Sequence, residues 1–359
     1  MRVLCITEHS DRPEAETIIG LKRHGVDMHV FCPPGAPHLN RFLQSGVQTT
    51  PFNLTGRINV RAIRFIRRWI IEKKIDILHL FNNRAVSNGL LASMNLPVRI
   101  IVYRGVVGNI SCFNPGSWMT YLHPRVDRII CVSEAIRRFF LNKKCLWMHF
   151  PSDRPVTVYK GHDLDWYHDQ PVDLGQFGIP KGAFVVGCTG RSQPHKGIHI
   201  LVDALCYLPK ELPIHLVLIG KMNAPALLKR IRNSPRADRI HLVGFRSDAP
   251  ALQAACNIVV LPTLKREGLS KVIIEAMAYG IPPIVTNAGG NPELVENGVS
   301  GIVVQPGRPQ EIAQAVLRLY EDPSMLKQMG QKARERIGKC FRIESTIEQT
   351  LRLYESLCP

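Results

Sequence analysis

Two glutamates in the last third of the chain, Glu267 and Glu275, are separated by seven residues. The sequence predicts a helix that begins near Leu269 or Ser270, so Glu267 lies in the preceding loop and Glu275 on the helix. Carboxylates in these positions can accept hydrogen bonds from the hydroxyls of a sugar and of a ribose, and Gly268 lets backbone amides approach a ligand. The spacing is also common on solvated helix faces, but apolar neighbours make the position of Glu275 costly for an unpartnered charge.

A glycine-bearing loop upstream combines backbone amides with two cations. Residues 190–197 read Gly-Arg-Ser-Gln-Pro-His-Lys-Gly and lie between the strand-like Val185–Thr189 and the amphipathic Ile198–Leu208. Amides in such a loop can bind phosphate oxygens, and Arg191 and Lys196 add positive charge. The residue order of a Walker loop is absent. A basic surface turn is the alternative, and the loop alone does not decide between the two.

A second glycine turn follows downstream. Gly289 and Gly290 lie between the strand-like Pro283–Thr286 and a segment that begins a new helix. Amides and a helix dipole at this place can stabilise negative charge that grows on a departing diphosphate. The alternative is a glycine turn of the kind found in any α/β domain.

Short β-branched segments alternate with helical patterns through both halves of the chain. The predicted strands are Val3–Thr7, Met28–Cys32, Ile75–Leu80, Arg99–Tyr103, Arg128–Val132, Phe184–Thr189, His215–Ile219, Ile240–Val243, Ile258–Leu261 and Pro283–Thr286. The predicted helices of the first half are Glu14–His24, Asn59–Lys73, Ala85–Ser93 and Glu134–Leu141. Strands that are apolar throughout and separated by helices indicate parallel sheets covered on both faces.

The length of 359 residues favours two domains, because single cores stop growing near roughly 250–300 residues. The proline-rich stretch 150–182 is the predicted boundary. We therefore expect an α/β protein with two Rossmann-like, doubly wound domains: an acceptor-binding domain over 1–165 and a donor-binding domain over 166–342. Residues 343–359 are predicted to form a helix that packs back across the hinge. The two sheets are expected to face each other across a cleft.

The formal net charge of +17 suits an anionic small substrate, an anionic membrane surface or nucleic acid. No run approaches the roughly 20 apolar residues that span a bilayer, and the apolar N-terminal run is too short for a signal peptide. The sequence therefore predicts a cytoplasmic protein. Aromatic residues amount to only 7%, without aromatic-basic alternation or zinc-finger spacing, so we expect no nucleic-acid partner.

The ten cysteines contain no Cys-x-x-Cys pair, and several lie within apolar strand-like runs. They are predicted to be buried reduced thiols. The histidines do not cluster with acids or cysteines at ligand spacing; His195 and His199 alone, four positions apart, do not indicate a site. The sequence predicts no metal and no cofactor besides the substrate itself.

Together these segments resemble a large family of retaining glycosyltransferases with the GT-B architecture, the group 1 or family 4 type. The family includes bacterial lipopolysaccharide and capsule enzymes and glycosyl transferases of phosphatidylinositol. The resemblance covers roughly residues 156–322 and is specific in motif order. It rests on the Gly-Arg to Lys-Gly loop, Val243-Gly244-Phe245, Leu261-Pro262-Thr263, the Glu-x7-Glu element, Gly280-Ile281-Pro282, Gly289-Gly290, Glu293 and Gly301-Ile302-Val303-Val304.

The resemblance implies a role for each matching residue. Arg191 and Lys196 would bind the donor diphosphate, Glu267 the donor sugar and Glu275 the ribose. The full set of expected donor-binding residues is Gly190, Arg191, Lys196, Glu267, Gly268, Leu269, Ser270, Glu275, Gly289 and Gly290. The family uses no divalent metal and transfers with retention, most often by same-face attack in which the departing phosphate helps deprotonate the acceptor.

The first half resembles the family only in outline, through Asp76-Ile77-Leu78-His79 and Cys131-Val132-Ser133-Glu134-Ala135. Where many members carry Gly-Gly after the first strand, this chain has Thr7-Glu8-His9-Ser10-Asp11-Arg12. Where many carry His-Gly after the fourth strand, it has Tyr103-Arg104-Gly105. An arginine cannot act as a base near neutral pH, but Arg104 can neutralise a phosphate or an acidic acceptor. The expected acceptor-side residues are Glu8, His9, Asp11, Arg12 and Arg104, and the expected catalytic residues are Glu267, Arg191, Lys196 and Arg104.

Four arginines, Arg57, Arg61, Arg64 and Arg68, have the spacing of one helix face. At about 1 kcal/mol each they would give roughly 4 kcal/mol of attraction to an anionic leaflet, enough for reversible docking on the cytoplasmic face of an inner membrane. A solvated helix face is an equal alternative.

The sequence predicts an enzyme, a hexosyltransferase. It is expected to use a UDP-sugar or GDP-sugar donor and a glycan or lipid-linked acceptor, in cell-surface polysaccharide or lipopolysaccharide synthesis. Two alternatives remain open. One is a nucleotide-sugar epimerase or phosphorylase of the same architecture, and the other, from a different class, is a basic nucleic-acid-binding protein.

Overall fold

A computed structural model of the chain describes residues 1–145 and 148–358. It divides the chain into two compact units. Unit 1 comprises Met1–Gly161 and Phe341–Pro359, and unit 2 comprises His162–Cys340. The first crossing between units therefore falls inside the proline-rich stretch 150–182, and the last helix is part of unit 1.

The strands form two parallel sheets and a short antiparallel pair. In chain order they are β1 Arg2–Ile6, β2 Asp27–Cys32, β3 Gln48–Pro51, β4 Ile77–Leu80, β5 Arg99–Arg104, β6 Arg128–Cys131, β7 Lys144–Cys145, β8 Met148–His149, β9 Pro155–Thr157, β10 Phe184–Thr189, β11 Ile214–Ile219, β12 Ile240–Gly244, β13 Ile258–Leu261, β14 Pro283–Thr286 and β15 Ile302–Val304. Unit 1 has the strand order β3-β2-β1-β4-β5-β6-β9, and unit 2 has β12-β11-β10-β13-β14-β15. Both are doubly wound orders that reverse beside the first strand. The predicted pair of Rossmann-like domains is confirmed.

Helices cover these sheets. In chain order they are α1 Arg12–Arg23, α2 Leu39–Gln44, α3 Val60–Glu72, α4 Asn83–Ala92, α5 Pro115–Trp118, α6 Glu134–Leu141, α7 Ile198–Ala204, α8 Pro225–Arg232, α9 Ala249–Ala254, α10 Lys271–Ala278, α11 Asn291–Leu294, α12 Pro309–Glu321, α13 Pro323–Cys340 and α14 Ile343–Leu357. Within the described ranges, none of them is long and apolar enough to cross a membrane.

The start of α3 corrects one prediction. Asn59 is the N-cap residue, and its side-chain oxygen accepts a hydrogen bond from the backbone amide of Ala62. Helical residues therefore begin at Val60, and Arg57 lies in the preceding loop instead of on the helix face of Arg61, Arg64 and Arg68. The arginine spacing fails to predict this because the helix begins only after its capping asparagine, which lies two residues beyond Arg57.

The sequence also missed three short edge strands, β3, β9 and β15. Each has three or four residues, and each pairs with a neighbour on one side only. Edge strands need no continuous apolar run, so their pattern is weak. The central strand β11, in contrast, is buried at all six positions and was recognised from its apolar run.

The last helix, α14, packs against α1 at the start of the chain. A side chain at Gly20 of α1 would place its Cβ atom within 2.2 Å of Ile347, so the glycine allows the two helices to approach closely. Two turns further along α14, the buried Tyr354 hydroxyl lies 2.7 Å from Nδ1 of His79 on β4. Unit 1 is therefore completed by residues from the far end of the sequence.

The cysteine prediction is partly wrong. The thiols of Cys5, Cys32, Cys131, Cys188 and Cys256 are free and buried, as expected. However, Cys206 and Cys340 are exposed, and Cys112 is disulfide-bonded. Cys206 follows α7 and Cys340 ends α13, where the apolar strand pattern that suggested burial does not apply.

Candidate active site

The phosphate-type loop follows β10 and packs tightly on the loop after β13. Gly197 has a positive φ of 68°, and a Cβ atom there would lie 1.9 Å from the carbonyl oxygen of Pro262. The two loops are also joined by a hydrogen bond of 2.8 Å from the Leu264 amide to the His195 carbonyl. Glycine is required at Gly197 because both its backbone conformation and the neighbouring backbone exclude a side chain.

An ion pair joins the two predicted halves of the site. The Nζ atom of Lys196 lies 2.9 Å from Oε2 of Glu267, and the Thr263 hydroxyl donates to the same oxygen at 3.0 Å. Among the described residues, Oε1 of Glu267 accepts no hydrogen bond from a side chain, although the residue is only 9% exposed. The pair thus fixes the carboxylate by one oxygen and leaves the other without a side-chain partner in the described ranges.

The glycine turn after β14 lies directly against this glutamate. Gly289 has a φ of 58°, and a Cβ atom there would lie 1.9 Å from the backbone oxygen of Glu267. The Gly290 amide donates a hydrogen bond of 3.3 Å to the same oxygen. Because β10, β13 and β14 are neighbours in the sheet, their three following loops meet at one edge.

The remaining donor-side residues lie at the start of α10. Ser270 is its N-cap residue, which confirms the predicted helix start, and Gly268 and Leu269 form the last loop residues before it. Glu275 lies within the helix, is 8% exposed and approaches the Lys271 ammonium at 3.3 Å, one turn away. Glu267 and Glu275 are therefore on the two sides of a helix start, as the sequence predicted.

Arg191 differs from Lys196 in its surroundings. It follows Gly190, is exposed, and forms no ion pair with any carboxylate in the described ranges. The amide of Gly190 donates to the Ile219 carbonyl at 2.8 Å, which fixes the loop beneath the arginine. The Arg191 guanidinium is therefore available to an anion, whereas Lys196 is shared with Glu267.

Sequence reasoning missed two contributors to this site. Thr263 was noted only as part of a motif, although it donates to Glu267 and its carbonyl oxygen accepts from the Thr286 hydroxyl. Arg266 adopts a positive φ of 69°, a conformation that is strained for a residue with a side chain. Only the three-dimensional packing of the β13 and β14 loops shows either feature.

His195 in the same loop is held neutral. Loss of solvent lowers its pKa, and the nearby charges of Lys196 and Arg266 lower it further. The lowered pKa favours the uncharged imidazole, so the positive charge at this edge of the sheet comes from Arg191, Lys196, Lys265 and Arg266.

The residues predicted for the acceptor side lie in unit 1, and they do not form one cluster. Glu8 pairs with Arg84 at 2.9 Å, and His9 is exposed. Asp11 caps α1 and accepts a 2.8 Å hydrogen bond from Lys160, so it contributes to the packing of that helix. Arg12, half-buried, is the first residue of α1.

Arg104 ends β5 and lies in a different environment. It is 5% exposed, its Nε donates to the Val106 carbonyl at 2.9 Å, and another guanidinium nitrogen donates to the Gly108 carbonyl. Its guanidinium carbon is 4.7 Å from the centre of the Tyr121 ring. Arg104 therefore lines a cavity with the loop that follows its own strand, and it is separate from Glu8 and His9.

Two family models match the chain. The model described as glycosyl transferases group 1 matches residues 169–336, which contain the predicted donor-side loops, and the model described as glycosyltransferase family 4 matches residues 15–166. The chain belongs to the glycosyltransferases, as a member of this group with the GT-B fold, and it is an enzyme.

Named relatives agree with this assignment. The chain is 28% identical over 309 residues to an uncharacterized glycosyltransferase of Methanocaldococcus jannaschii, covering 83% of this chain and 80% of that protein. It is 27% identical over 254 residues to the lipopolysaccharide core biosynthesis mannosyltransferase of Rhizobium meliloti, covering 67% and 68%. The crystal structure of Anabaena HepE in complex with UDP and glucose has the same fold, with a TM-score of 0.81 and 23% identity over 99% of this chain and 100% of that one.

Proposed function

We propose that the protein transfers a hexose from a UDP-sugar or GDP-sugar to a glycan or lipid-linked acceptor, with retention of configuration, in the synthesis of a cell-surface polysaccharide or lipopolysaccharide. The observation that carries the proposal is the Lys196–Glu267 pair, which joins a phosphate-type loop to a carboxylate at the ends of neighbouring strands. HepE binds UDP and glucose, and the Rhizobium relative is a lipopolysaccharide mannosyltransferase, which supports the donor and pathway classes.

Each donor-side group has a role in this proposal. Arg191, Lys196 and the amides beside Gly289 neutralise the diphosphate, whose charge grows as the bond to the sugar breaks. Glu267 accepts a sugar hydroxyl through its open Oε1 atom, and Glu275 accepts hydrogen bonds from the ribose. The leaving phosphate, held on the face where the acceptor attacks, takes the proton from the acceptor hydroxyl, so the new bond keeps the configuration of the old one.

The proposal is tested by following nucleoside diphosphate release across a panel of sugar nucleotides. Lys196→Ala removes a cation from the leaving group and releases Glu267, so we expect turnover to fall on the order of 100-fold. Lys210→Ala is the matched control, because Lys210 is an exposed lysine in unit 2 outside the site loops. It should keep wild-type turnover and donor affinity.

Three outcomes would contradict the proposal. One is the absence of binding to every donor in the panel, and another is a Lys196→Ala protein with wild-type binding and turnover. The third is conversion of the sugar nucleotide with no acceptor present, which would favour an epimerase. The anomeric configuration of the product, read by NMR, tests retention directly.

We also propose that transfer needs no divalent metal. In the proposed site Arg191 and Lys196 supply the positive charge that a metal would otherwise bring to the diphosphate. We expect turnover to be unchanged after dialysis against EDTA and unaffected by added Mg²⁺ or Mn²⁺. A loss of activity with EDTA that is restored by one of these ions would contradict the proposal.

A cytoplasmic enzyme with peripheral attachment to an anionic membrane fits a lipid-linked acceptor. Arg61 and Arg64 are exposed on α3 and pair with no carboxylate in the described chain, whereas Arg68 lies 3.7 Å from Glu72. Val60 at the helix start is 57% exposed. We expect Arg61→Gln/Arg64→Gln to weaken co-flotation with vesicles that contain phosphatidylglycerol, without changing donor binding. Equal flotation of variant and wild type would exclude this surface.

A further inference from the structure

Unit 1 contains a cavity of about 190 Å³ at the carboxyl ends of β4 and β5. Two arginines line it from places far apart in the chain, Arg104 at the end of β5 and Arg57 in the loop before α3. The other polar wall residues are amides and hydroxyls: Asn83, Ser87, Asn109, Asn114, Ser117, Thr120 and Tyr121. The lining contains no carboxylate.

The position of Arg57 is fixed by its backbone. The Arg57 carbonyl accepts hydrogen bonds from the Ser87 hydroxyl at 2.5 Å and from the Asn88 side-chain amide at 3.0 Å. Its guanidinium reaches the opposite wall, where a Cβ atom added to Gly116 would lie 2.9 Å from Nη1 of Arg57. Hydrogen bonds therefore fix the backbone of this exposed arginine, and a glycine leaves room for its charged end.

Neither Arg57 nor Arg104 forms an ion pair within the described ranges. Arg104 is almost fully buried, and its contacts are two carbonyl oxygens and the face of Tyr121. Such contacts offset part of the cost of burying a charge but do not neutralise it. Two guanidinium groups beside neutral hydrogen-bond donors match a doubly charged oxyanion, and Arg binds phosphate through paired hydrogen bonds.

We propose that this cavity binds a phosphate monoester carried by the acceptor. The inference rests on the proposed glycosyltransferase function, because it identifies the chemical class of the acceptor, but the binding site itself lies wholly in unit 1. Arg57 and Arg104 bind the phosphate oxygens, and the side-chain amides of the three wall asparagines complete the hydrogen bonding of those oxygens. The acceptor hydroxyl belongs to the same molecule as this phosphate.

The test is calorimetric titration of the full chain with glycerol phosphate while a saturating nucleoside diphosphate occupies the donor site. Wild type should bind, and Arg57→Gln should bind at least about tenfold more weakly, since a hydrogen-bonded charge pair is lost. Arg23→Gln is the matched control with the same change of charge, because Arg23 is exposed on α1 and does not line the cavity, and it should keep wild-type affinity. Equal weakening by both variants, or no binding by wild type, would overturn the proposal.

A second variant keeps both arginines. Gly116→Ala places a methyl group against the Arg57 guanidinium, which is the flexible end of its side chain, so we expect an unchanged melting temperature but weaker phosphate binding. If Arg57→Gln keeps wild-type affinity for the nucleoside diphosphate, the phosphate cavity is independent of the donor site. Conversely, Lys196→Ala should lose donor binding and keep phosphate binding, which would also show that the two sites are independent.

The source of the phosphate is decided by two further arms. One uses a soluble hexose phosphate, and the other uses nanodiscs of neutral lipid with phosphatidic acid, compared with phosphatidylglycerol at equal surface charge. Preference for either phosphate monoester, lost in Arg57→Gln, supports the site and identifies the source as soluble or lipid-linked. The proposal would be overturned if the protein bound phosphatidic acid and phosphatidylglycerol equally, if Arg57→Gln did not change this binding, and if the hexose phosphate did not bind.

Discussion

Single residues at the strand ends determine whether the proposed donor site can assemble. Lys196 and Glu267 lie 71 residues apart in the chain, yet they form one ion pair because two loops pack backbone to backbone. The sequence identified both residues, since each belongs to a contiguous motif with glycines beside it. It did not identify Arg57 as a cavity residue, because Arg57 and Arg104 are related by no periodicity and meet only through the folded sheet.

Gly289, like Gly197, leaves no space for a side chain. Its Cβ atom would overlap the Glu267 backbone, so Gly289→Ala must displace either the turn or the glutamate. We expect loss of about 1–3 kcal/mol of unfolding free energy from backbone strain, together with weakened donor binding. Urea unfolding and nucleotide titration measure the two effects.

Gly298→Ala is the control for this substitution. Gly298 also has a positive φ, 79°, but open space surrounds its Cβ position. The control should lose stability through strain alone and keep donor affinity. If both variants bind the donor equally well, the contact between Gly289 and Glu267 has no role in the site.

At the level of elements, the apolar patterns located the central strands and most helices, whereas edges and helix starts needed the structure. The strands β3, β9 and β15 are short and pair with a neighbouring strand on one side only, so they need no continuous apolar run that the sequence would show. The start of α3 is set by one asparagine, Asn59, whereas the arginine spacing continues through that position without a break. Hydrogen bonds at the caps therefore set where a helix begins, and the periodicity of the sequence does not show this position.

The cap of α3 gives a prediction at this scale. Asn59→Ala removes the acceptor for the Ala62 amide, so we expect the unfolding free energy to fall by about 1 kcal/mol. Asn59→Asp keeps an acceptor oxygen and should retain most of the stability. Denaturant unfolding of the three proteins checks this order, and an Asn59→Ala protein as stable as wild type would show that the cap is unimportant.

At the level of the whole molecule, the sequence correctly predicted two doubly wound domains because each domain repeats the same strand and helix alternation. The acceptor side was less accessible to prediction. Its residues Glu8, Asp11 and Arg104 are distributed among an ion pair, a helix cap and a buried cavity. Residues that are close together in a loop sequence can contact different parts of the folded chain, and only the structure shows which part each one contacts.

The burial of His79 makes stability depend on pH. Burial lowers the pKa of His79 to about 3, so the folded protein keeps this ring neutral while the unfolded chain takes up a proton below its ordinary value near 6.5. Its contribution to stability is complete above that pH and declines as the pH falls. We expect a loss of about 2 kcal/mol from pH 7.5 to pH 5 from this residue.

Urea unfolding at several pH values measures this effect. His79→Gln keeps a hydrogen-bond partner for the Tyr354 hydroxyl but cannot be protonated in this range. The variant should lose less stability on acidification than wild type, even though its stability at pH 7.5 is lower. Parallel pH profiles for the two proteins would assign the acid sensitivity to other groups.

The packing of α14 on α1 also affects how the protein is made. Gly20 and Ile347 are in contact, but nearly the whole chain separates them, and contacts of such long sequence separation form slowly. Unit 2 is one continuous segment and has all its residues once Cys340 leaves the ribosome. Unit 1 still lacks α14 at that moment. The unit that is synthesised second is therefore the first that can fold completely, and unit 1 must wait for the final helix to close its surface.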